Sequence, residues 1–433
     1  MVWSKLEKLG IGLLETLEQA GYEAYFVGGY VRDKYLGKPV KDIDIATSAR
    51  PEEVVRLFAR TIPTGLKHGT VTVLAEGETF EVTTFRKESD YADFRRPDEV
   101  EFISELEEDL RRRDFTMNAM AMDRHGGIRD PFGGKEDLKA GLLRCVGDPA
   151  ERFREDALRM LRCVRFASVY DLTVDEATWQ AVLERRELLL HVAMERVRVE
   201  LERMMGGPHP YEGWRLLAES GLLGFTKDKL AWSYSEPSSP SLPAELKTLP
   251  ALAESDRRWI LVVLLSGLNA GQCRELLRKM TFSLKDVERF SRAAEFGEWV
   301  TAIEWSPGMS RVCSELENCS AAEVWQLGTL QIGVEAAADW LAVMKALERE
   351  GYLVTAGLRL AVDNGQAWLD ELRIKELKEL AVTGGELIAA SGRGAGPWVG
   401  AAMSRLLRLA AVGRVANTKA ELLEAVLDSG GGA

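Results

Sequence analysis

The sequence predicts an α+β protein: a small head with a mixed sheet, followed by an elongated all-helical remainder. Three observations carry this. Helical and strand patterns alternate over the first 130 residues. From Pro149 onward the strand signals stop, and apolar residues recur at i, i+3, i+4 and i+7, the helical period. The length of 433 residues, at ~100–200 per domain, accommodates two to four domains.

In chain order, residues 3–20 form an amphipathic helix, because Glu15 and Glu18 interrupt its apolar residues where a secretory segment would be unbroken. Glu23–Gly29 (EAYFVGG) is a buried strand ending in a glycine pair, followed by a short helix over Tyr30–Leu36 and a strand over Asp42–Thr47. Thr70–Ala75 and Thr79–Arg86 flank Glu76-Gly77-Glu78 as a hairpin. The charged segment Lys87–Glu101 has no period and is expected to be a mobile loop. Beyond Arg111–Asp114 an apolar run, Phe115–Met122, closes at the turn His125-Gly126-Gly127. Phe153–Ala167 and Glu195–Met205 have helical periodicity, and four of the fourteen prolines fall in 227–250, a loop or domain joint.

Composition excludes several classes of function. A content of 46% apolar and 29% charged residues is that of a globular chain and rules out wholesale disorder. Fifty-six Lys+Arg against 68 Asp+Glu give a net charge of −12, which argues against coating nucleic acid by bulk charge. Five scattered cysteines without a C-x-x-C pair make no disulfide framework, and their odd number fits a reducing cytoplasm. Cys145 and Cys163 lie in apolar runs, as inert core thiols do. No apolar stretch approaches the ~18 residues of a membrane span. No histidine precedes an aspartate, so an HD-type phosphohydrolase is not supported, and the P-loop pattern is absent.

The residues that point to chemistry are Gly28-Gly29-Tyr30-Val31-Arg32-Asp33 and then Asp42-Ile43-Asp44. A glycine pair between strand and helix admits a ligand close to the backbone, and a helix N-terminus favours phosphate. Two aspartates two apart on a strand leave by one face, where their mutual repulsion calls for a cation between them. Glu81, on the neighbouring predicted strand, is either a third carboxylate or an exposed strand position.

GGYVRDKYLGKPVKDIDIAT resembles the signature of class II tRNA nucleotidyltransferases, the family of CCA-adding enzymes and bacterial poly(A) polymerases. The resemblance continues in order through RRRDFTMNAMA (Arg111–Ala121), DPFGGKEDL (Asp130–Leu138), REDALRMLRCVRFA (Arg154–Ala167) and MERVRVELERMM (Met194–Met205). It implies a polymerase-β-like head over 1–148, a helical neck over 149–210, a body over 211–330 and a tail over 331–433. It further implies that Asp42 and Asp44 hold two Mg²⁺, that Gly29 and Arg32 contact the triphosphate, and that Arg113 and Asp114 read the ribose. Arg162 and Arg165 match phosphate-contacting positions. Arg111 instead reads as part of a solvated basic cluster balancing Glu107, Glu108 and Asp109.

By the same resemblance Asp156 and Arg159, three apart on a predicted helix, form a protein template for the incoming base. Cytosine and adenine each offer an amino donor beside an unprotonated ring nitrogen. Aspartate accepts from the first and arginine donates to the second, whereas uracil and guanine mismatch both. Glu155, four residues before Arg159, is placed to orient it. The implied reaction adds C, C and A to the 3′ end of tRNA from CTP and ATP. By the resemblance, the long form of the loop, with Tyr91, Asp93, Arg95-Arg96-Pro97 and Phe102, favours this over CC-only addition, whereas A-only enzymes can also keep it; the LDSGGGA terminus lacks the basic tail usual for a poly(A) polymerase. Residues 387–420 hold Arg393, Arg405, Arg408, Arg414 and Lys419 but no acidic residue, suiting either contact with the acceptor and TΨC arms of tRNA or an amphipathic packing helix.

Overall fold

The structure is a computed structural model that describes residues 3–40, 42–66, 69–89, 99–230, 232, 242–303, 319–352 and 356–427. It divides into two compact units, Met1–Leu242 and Pro243–Ala433.

In the first unit, α1 (Lys5–Gln19) begins with a reciprocal cap: Ser4 Oγ accepts from the Glu7 amide at 3.2 Å, and the Glu7 carboxylate accepts from the Ser4 amide at 2.7 Å. Buried Glu7 also accepts from Lys34 Nζ at 2.6 Å and Tyr30 Oη at 3.1 Å. These bonds tie α1 to α2 (Gly29–Tyr35), which follows β1 (Ala24–Val27). After β2 (Asp44–Thr47) come α3 (Pro51–Leu57) and β3 (Thr61–Gly65), then β4 (Thr70–Ala75) and β5 (Glu78–Thr84). The latter two form the expected hairpin, with Glu76 and Gly77 both at positive φ, as a two-residue turn of this hand requires.

The sheet runs β3-β4-β5-β2-β1-β8-β9, with β8 at Ala121–Met122 and β9 at Ile128–Arg129. It is mixed, as the sequence predicts: β1 and β2 are antiparallel with Val27 opposite Asp44, and β2 and β5 are parallel with Asp44 opposite Glu81. All four residues of β1 are buried, so the chain emerges from the middle of the sheet straight into the glycine pair.

Three expectations are corrected. The arms of the Lys87–Glu101 segment are ordered into an antiparallel pair, β6 (Arg86–Ser89) with β7 (Glu99–Phe102). In β6, Arg86 and Lys87 put charge on both faces and remove the alternation that marks a strand, while β7 alternates over only four residues; Tyr91, Asp93, Arg95, Arg96 and Pro97 lie outside the described residues. Strand structure does not stop at Pro149, since β10 (Leu142–Leu143) pairs in parallel with β11 (Thr173–Val174), two residues being too short to leave a period. The helix expected over Phe153–Ala167 is two helices, α6 (Pro149–Glu155) and α7 (Leu158–Tyr170), broken at Asp156, whose φ and ψ of −140° and 103° are extended. Between these elements lie α4 (Leu106–Arg111) and α5 (Gly134–Ala140); α8 (Glu176–Arg185), α9 (Met194–Met205) and α10 (Pro210–Ser220) complete the unit.

The second unit holds helices α11 (Ser255–Leu265), α12 (Ala270–Lys279), α13 (Leu284–Ala302), α14 (Ala321–Ile332), α15 (Val334–Arg349), α16 (Ala356–Asp370), α17 (Gly384–Ser391), α18 (Pro397–Ala411) and α19 (Lys419–Leu427). Its core centres on Phe296, Trp325 and Trp340, with the Phe296 ring edge-on to Trp325 at 5.0 Å between centroids. No described helix is long and apolar enough to cross a membrane. Cys145, Cys163 and Cys273 are buried and free, and Cys319 is disulfide-bonded. Burial pushes the Cys145 thiol up to about 12, consistent with an inert core residue.

Candidate active site

The strand-to-helix junction after β1 forms one wall of a cavity of about 520 Å³ in the first unit. Gly28 has φ +68°, and a Cβ built there would stand 3.1 Å from Arg113 Nη1 and 3.8 Å from Asp44 Oδ2. Glycine is thus favoured by the backbone and by the close approach of Arg113, whereas Asp44 stands at ordinary contact distance. The cavity is lined by Gly28, Gly29, Arg32, Asp44, Arg113, Asp114, Asp156, Arg159, Arg162 and Arg165 among others. With Arg112, Arg196 and Arg203, the lining has eight arginines against three aspartates, the reverse of the chain's overall balance and suited to a polyanion.

Carboxylates lock most of these arginines in place. Arg32 is buried; its Nε and Nη2 donate to the two Asp33 oxygens at 3.0 Å each and Nη1 donates to Asn118 Oδ1, leaving two of its five N–H groups for a ligand. The Tyr170 ring lies 4.3 Å from its guanidinium carbon, and Tyr170 Oη donates to Asp33 at 2.8 Å. Arg159 donates to Glu155 at 2.6 Å, as the i, i+4 spacing predicts, and to the Arg112 carbonyl at 2.9 Å. Arg165 is ion-paired with buried Glu200. Arg111, by contrast, stays with Glu107 and Glu108 at the surface, as expected.

Arg113 and Asp114 are adjacent in sequence but have different partners. Arg113 Nη2 donates to buried Asp109 at 3.3 Å, and its Nε is buried without a hydrogen-bond partner. Asp114 accepts from Arg162 through Nε at 2.8 Å and through Nη2, and from Asn118 Nδ2 at 2.9 Å. Burial raises the Asp114 carboxyl, but the Arg162 charge and these hydrogen bonds outweigh it and hold it well below the usual carboxylate range. Asp156 likewise has an unforeseen partner. Arg196 Nη1 and Nη2 donate to its two oxygens at 3.2 and 2.7 Å, and the Leu158 amide donates to Oδ1 at 3.1 Å. The premise that Asp156 and Arg159 share a helix face is therefore corrected: Asp156 lies in the break, its Oδ1 accepting from the Leu158 amide, while Arg159 sits in the first turn of the next helix. Arg196, Asn118, Asp109 and Glu200 are the site residues that sequence spacing did not single out. The one available signal was Arg196 itself, a cation in the first turn of α9, where the helix dipole disfavours it.

Asp42, two residues before β2, Asp44 at its start and Glu81 on β5 have the exposure and register of a cation site. Asp42 and Asp44 are exposed while Ile43 and Ile45 are buried, so the two aspartates share the open face. Exposed Glu81 lies opposite Asp44. Desolvation in the cleft, then the Glu81 and Asp42 charges, push the Asp44 carboxyl above its usual range, with Arg113 acting the other way. An all-oxygen cluster that repels itself fits a hard divalent ion. Among the described residues no three potential ligands converge on one point, so phosphate oxygens and water would complete the coordination.

In the second unit, Arg414 Nε donates to Glu323 at 2.6 Å and Lys419 Nζ to Glu386 at 2.6 Å. Glu323 and Glu386 lie outside the acid-free window, so the fold returns to it charges that the linear sequence withholds. Among the described residues, neither Arg393 nor Arg405 has an ion pair.

Comparison with known proteins bears on all of this. Residues 24–144 match the family described as the poly A polymerase head domain, 171–227 the probable RNA and SrmB-binding site of polymerase A, and 251–426 tRNA nucleotidyltransferase domain 2. The chain is 38% identical over 424 residues to a CCA-adding enzyme of Geobacillus stearothermophilus, covering 94% of each chain. It is 40% identical over 421 residues to one of Levilactobacillus brevis, covering 96% of each. Its fold matches the crystal structure of the Bacillus stearothermophilus CCA-adding enzyme in complex with CTP, with a TM-score of 0.78, 34% identity, and coverage of 99% of this chain and 98% of that one.

Proposed function

The chain belongs to the family of CCA-adding tRNA nucleotidyltransferases, and from that premise we propose how its cavity works. The reaction is template-independent addition of C, C and A to the 3′ end of tRNA from CTP and ATP, with release of pyrophosphate. Enzymes of this family depend on a divalent metal, and we assign Mg²⁺ to Asp42 and Asp44 with Glu81 beside them. Two bound Mg²⁺ supply activation of the 3′-hydroxyl for in-line attack on the α-phosphate and neutralisation of the departing charge.

The protein's own residues hold everything else. Gly29 and the two unengaged N–H groups of Arg32 receive the triphosphate, with Arg162 and Arg165 further along the same wall. Arg113 and Asp114 face the ribose, Asp114 acting through Arg162 rather than through Arg113. Asp156 accepts from the amino group of cytosine or adenine, and Arg159 donates to the ring nitrogen beside it. A uracil or guanine would leave both buried groups mismatched, at a cost of about 2–5 kcal/mol. Arg393, Arg405 and Arg408 are assigned to tRNA backbone contact; Arg414 and Lys419 are committed first to their glutamates. We keep the division into head (1–148), neck (149–210), body (211–330) and tail (331–433), and a cytoplasmic location.

The observation that carries this reading is that one cavity joins the glycine pair, Asp44 and the Asp156–Arg159 segment. A tRNA ending at its discriminator base tests it. With CTP alone, extension should halt after two residues; with CTP and ATP it should run to CCA. A halt after CC with both nucleotides present, or a requirement for a CC-ended substrate, would place the chain among partial-activity relatives.

A further inference from the structure

Asp156 has one acceptor position left. Its Oδ1 receives two donors, the Leu158 amide at 3.1 Å and Arg196 Nη1 at 3.2 Å, while Oδ2 receives only Arg196 Nη2, at 2.7 Å. A carboxylate offers about two lone-pair directions per oxygen, so a single position on Oδ2 remains for a ligand. Both side chains line the cavity, and both are largely buried, at 18% and 24% exposure. The two-point fork matters because it fixes the plane of the carboxylate as well as its place, which a single charge cannot do.

Arg196 has no other evident purpose. It stands in the first turn of α9, where a cation opposes the helix dipole, and among the described residues its side chain has no hydrogen-bond or ion-pair partner besides Asp156. Asp156 lies in an extended break between helices, where the local backbone holds it at one point only, the Leu158 amide on Oδ1. The second point, on Oδ2, comes from Arg196, 40 residues away.

We propose that Arg196 is a specificity-determining positioning residue: its guanidinium fork orients Asp156 so that one lone pair of Oδ2 meets the exocyclic amino group of cytosine or adenine. The proposal rests on the reading of Asp156 as the base acceptor. An amino-bearing base donates to that lone pair. A base with a carbonyl there confronts a fixed, acceptor-only carboxylate that cannot turn away. Without Arg196 the carboxylate keeps only the Leu158 amide on Oδ1 and can pivot about it, and the penalty against uracil shrinks while the triphosphate contacts remain.

The test compares kcat/KM for CTP and for UTP in single additions to tRNA lacking its CCA end. The variants are Asp156→Ala, Arg196→Gln, Arg196→Lys and the double variant Asp156→Ala/Arg196→Gln, each first checked for a cooperative melt. Arg196→Gln should lower the CTP-to-UTP ratio at least about tenfold. Arg196→Lys, which keeps the charge but not the fork, should recover only part of that loss. The double variant should be no less selective than Asp156→Ala alone, because Arg196 acts only through Asp156. If Asp156→Ala destroys selectivity while Arg196→Gln retains it, the base-reading assignment stands and the role of Arg196 is overturned. If Asp156→Ala itself retains selectivity, the base-reading assignment falls, and the proposal with it. A double variant markedly less selective than Asp156→Ala would show Arg196 acting independently and would also overturn the proposal.

Discussion

Asp114 and Asp109 show how this site places charge where burial opposes it. Both side chains are almost wholly buried. For each, burial raises the carboxyl, and neighbouring arginines more than reverse it, Arg162 for Asp114 and Arg112 with Arg113 for Asp109. A carboxyl lowered in the folded state contributes stability that is full above the unfolded value near 4 and is lost as pH falls below it. Urea melts of the protein should therefore weaken between about pH 5 and pH 3. Asp114→Asn should cost about 3 kcal/mol at pH 7 and reduce that acid dependence. An Asp114→Asn protein as stable as its parent at pH 7 would remove Asp114 from the account. At this scale the sequence was partly legible. The Glu155–Arg159 pair was legible from the four-residue spacing, although it forms across the break at Asp156 rather than along one helix, and Arg111 with its glutamates from local charge. Arg162–Asp114 and Arg196–Asp156 did not, because their partners lie 48 and 40 residues apart and no local spacing reports such a contact.

At the scale of elements, the site depends on two interruptions of regular structure. The first is the left-handed turn at Gly28, which carries the chain from a buried strand to α2 and leaves room for Arg113 and Asp44. Gly28→Val should lose about 1–3 kcal/mol of stability, because φ and ψ of 68° and −134° are sparsely populated by residues with a Cβ. It should lose more in kcat/KM for nucleotide, because its Cβ displaces Arg113. Unchanged kcat/KM would show that the close approach at Gly28 is not used. The second interruption is the break at Asp156, where the apolar period runs on through both helices and conceals the extended residue between them. Periodicity located the hairpin and α9 correctly, since each has a buried face and an exposed one, and β1 was legible as an unbroken apolar run. It failed at β6, whose Arg86 and Lys87 put charge on both faces, at β7, whose four residues are too few for its alternation to stand out, and at β10 and β11, which are two residues long.

At the scale of the molecule, a net charge of −12 is compatible with handling a polyanion because the charges are segregated. Arginines dominate the cavity lining, and carboxylates behind them hold them in place. In the second unit, Arg414 and Lys419 are matched to Glu323 and Glu386, leaving a smaller basic surface than the acid-free window suggested. Chemistry is thus assigned to the first unit and grip on the RNA backbone largely to residues elsewhere, a separation that a single variant can test. The measurement is the rate of C addition by Asp42→Ala alongside the affinity of the same variant for tRNA. The account predicts that addition falls by on the order of a thousandfold while tRNA affinity stays within about twofold of the parent. Addition persisting within tenfold of the parent rate would contradict the placement of the reaction at Asp42 and Asp44.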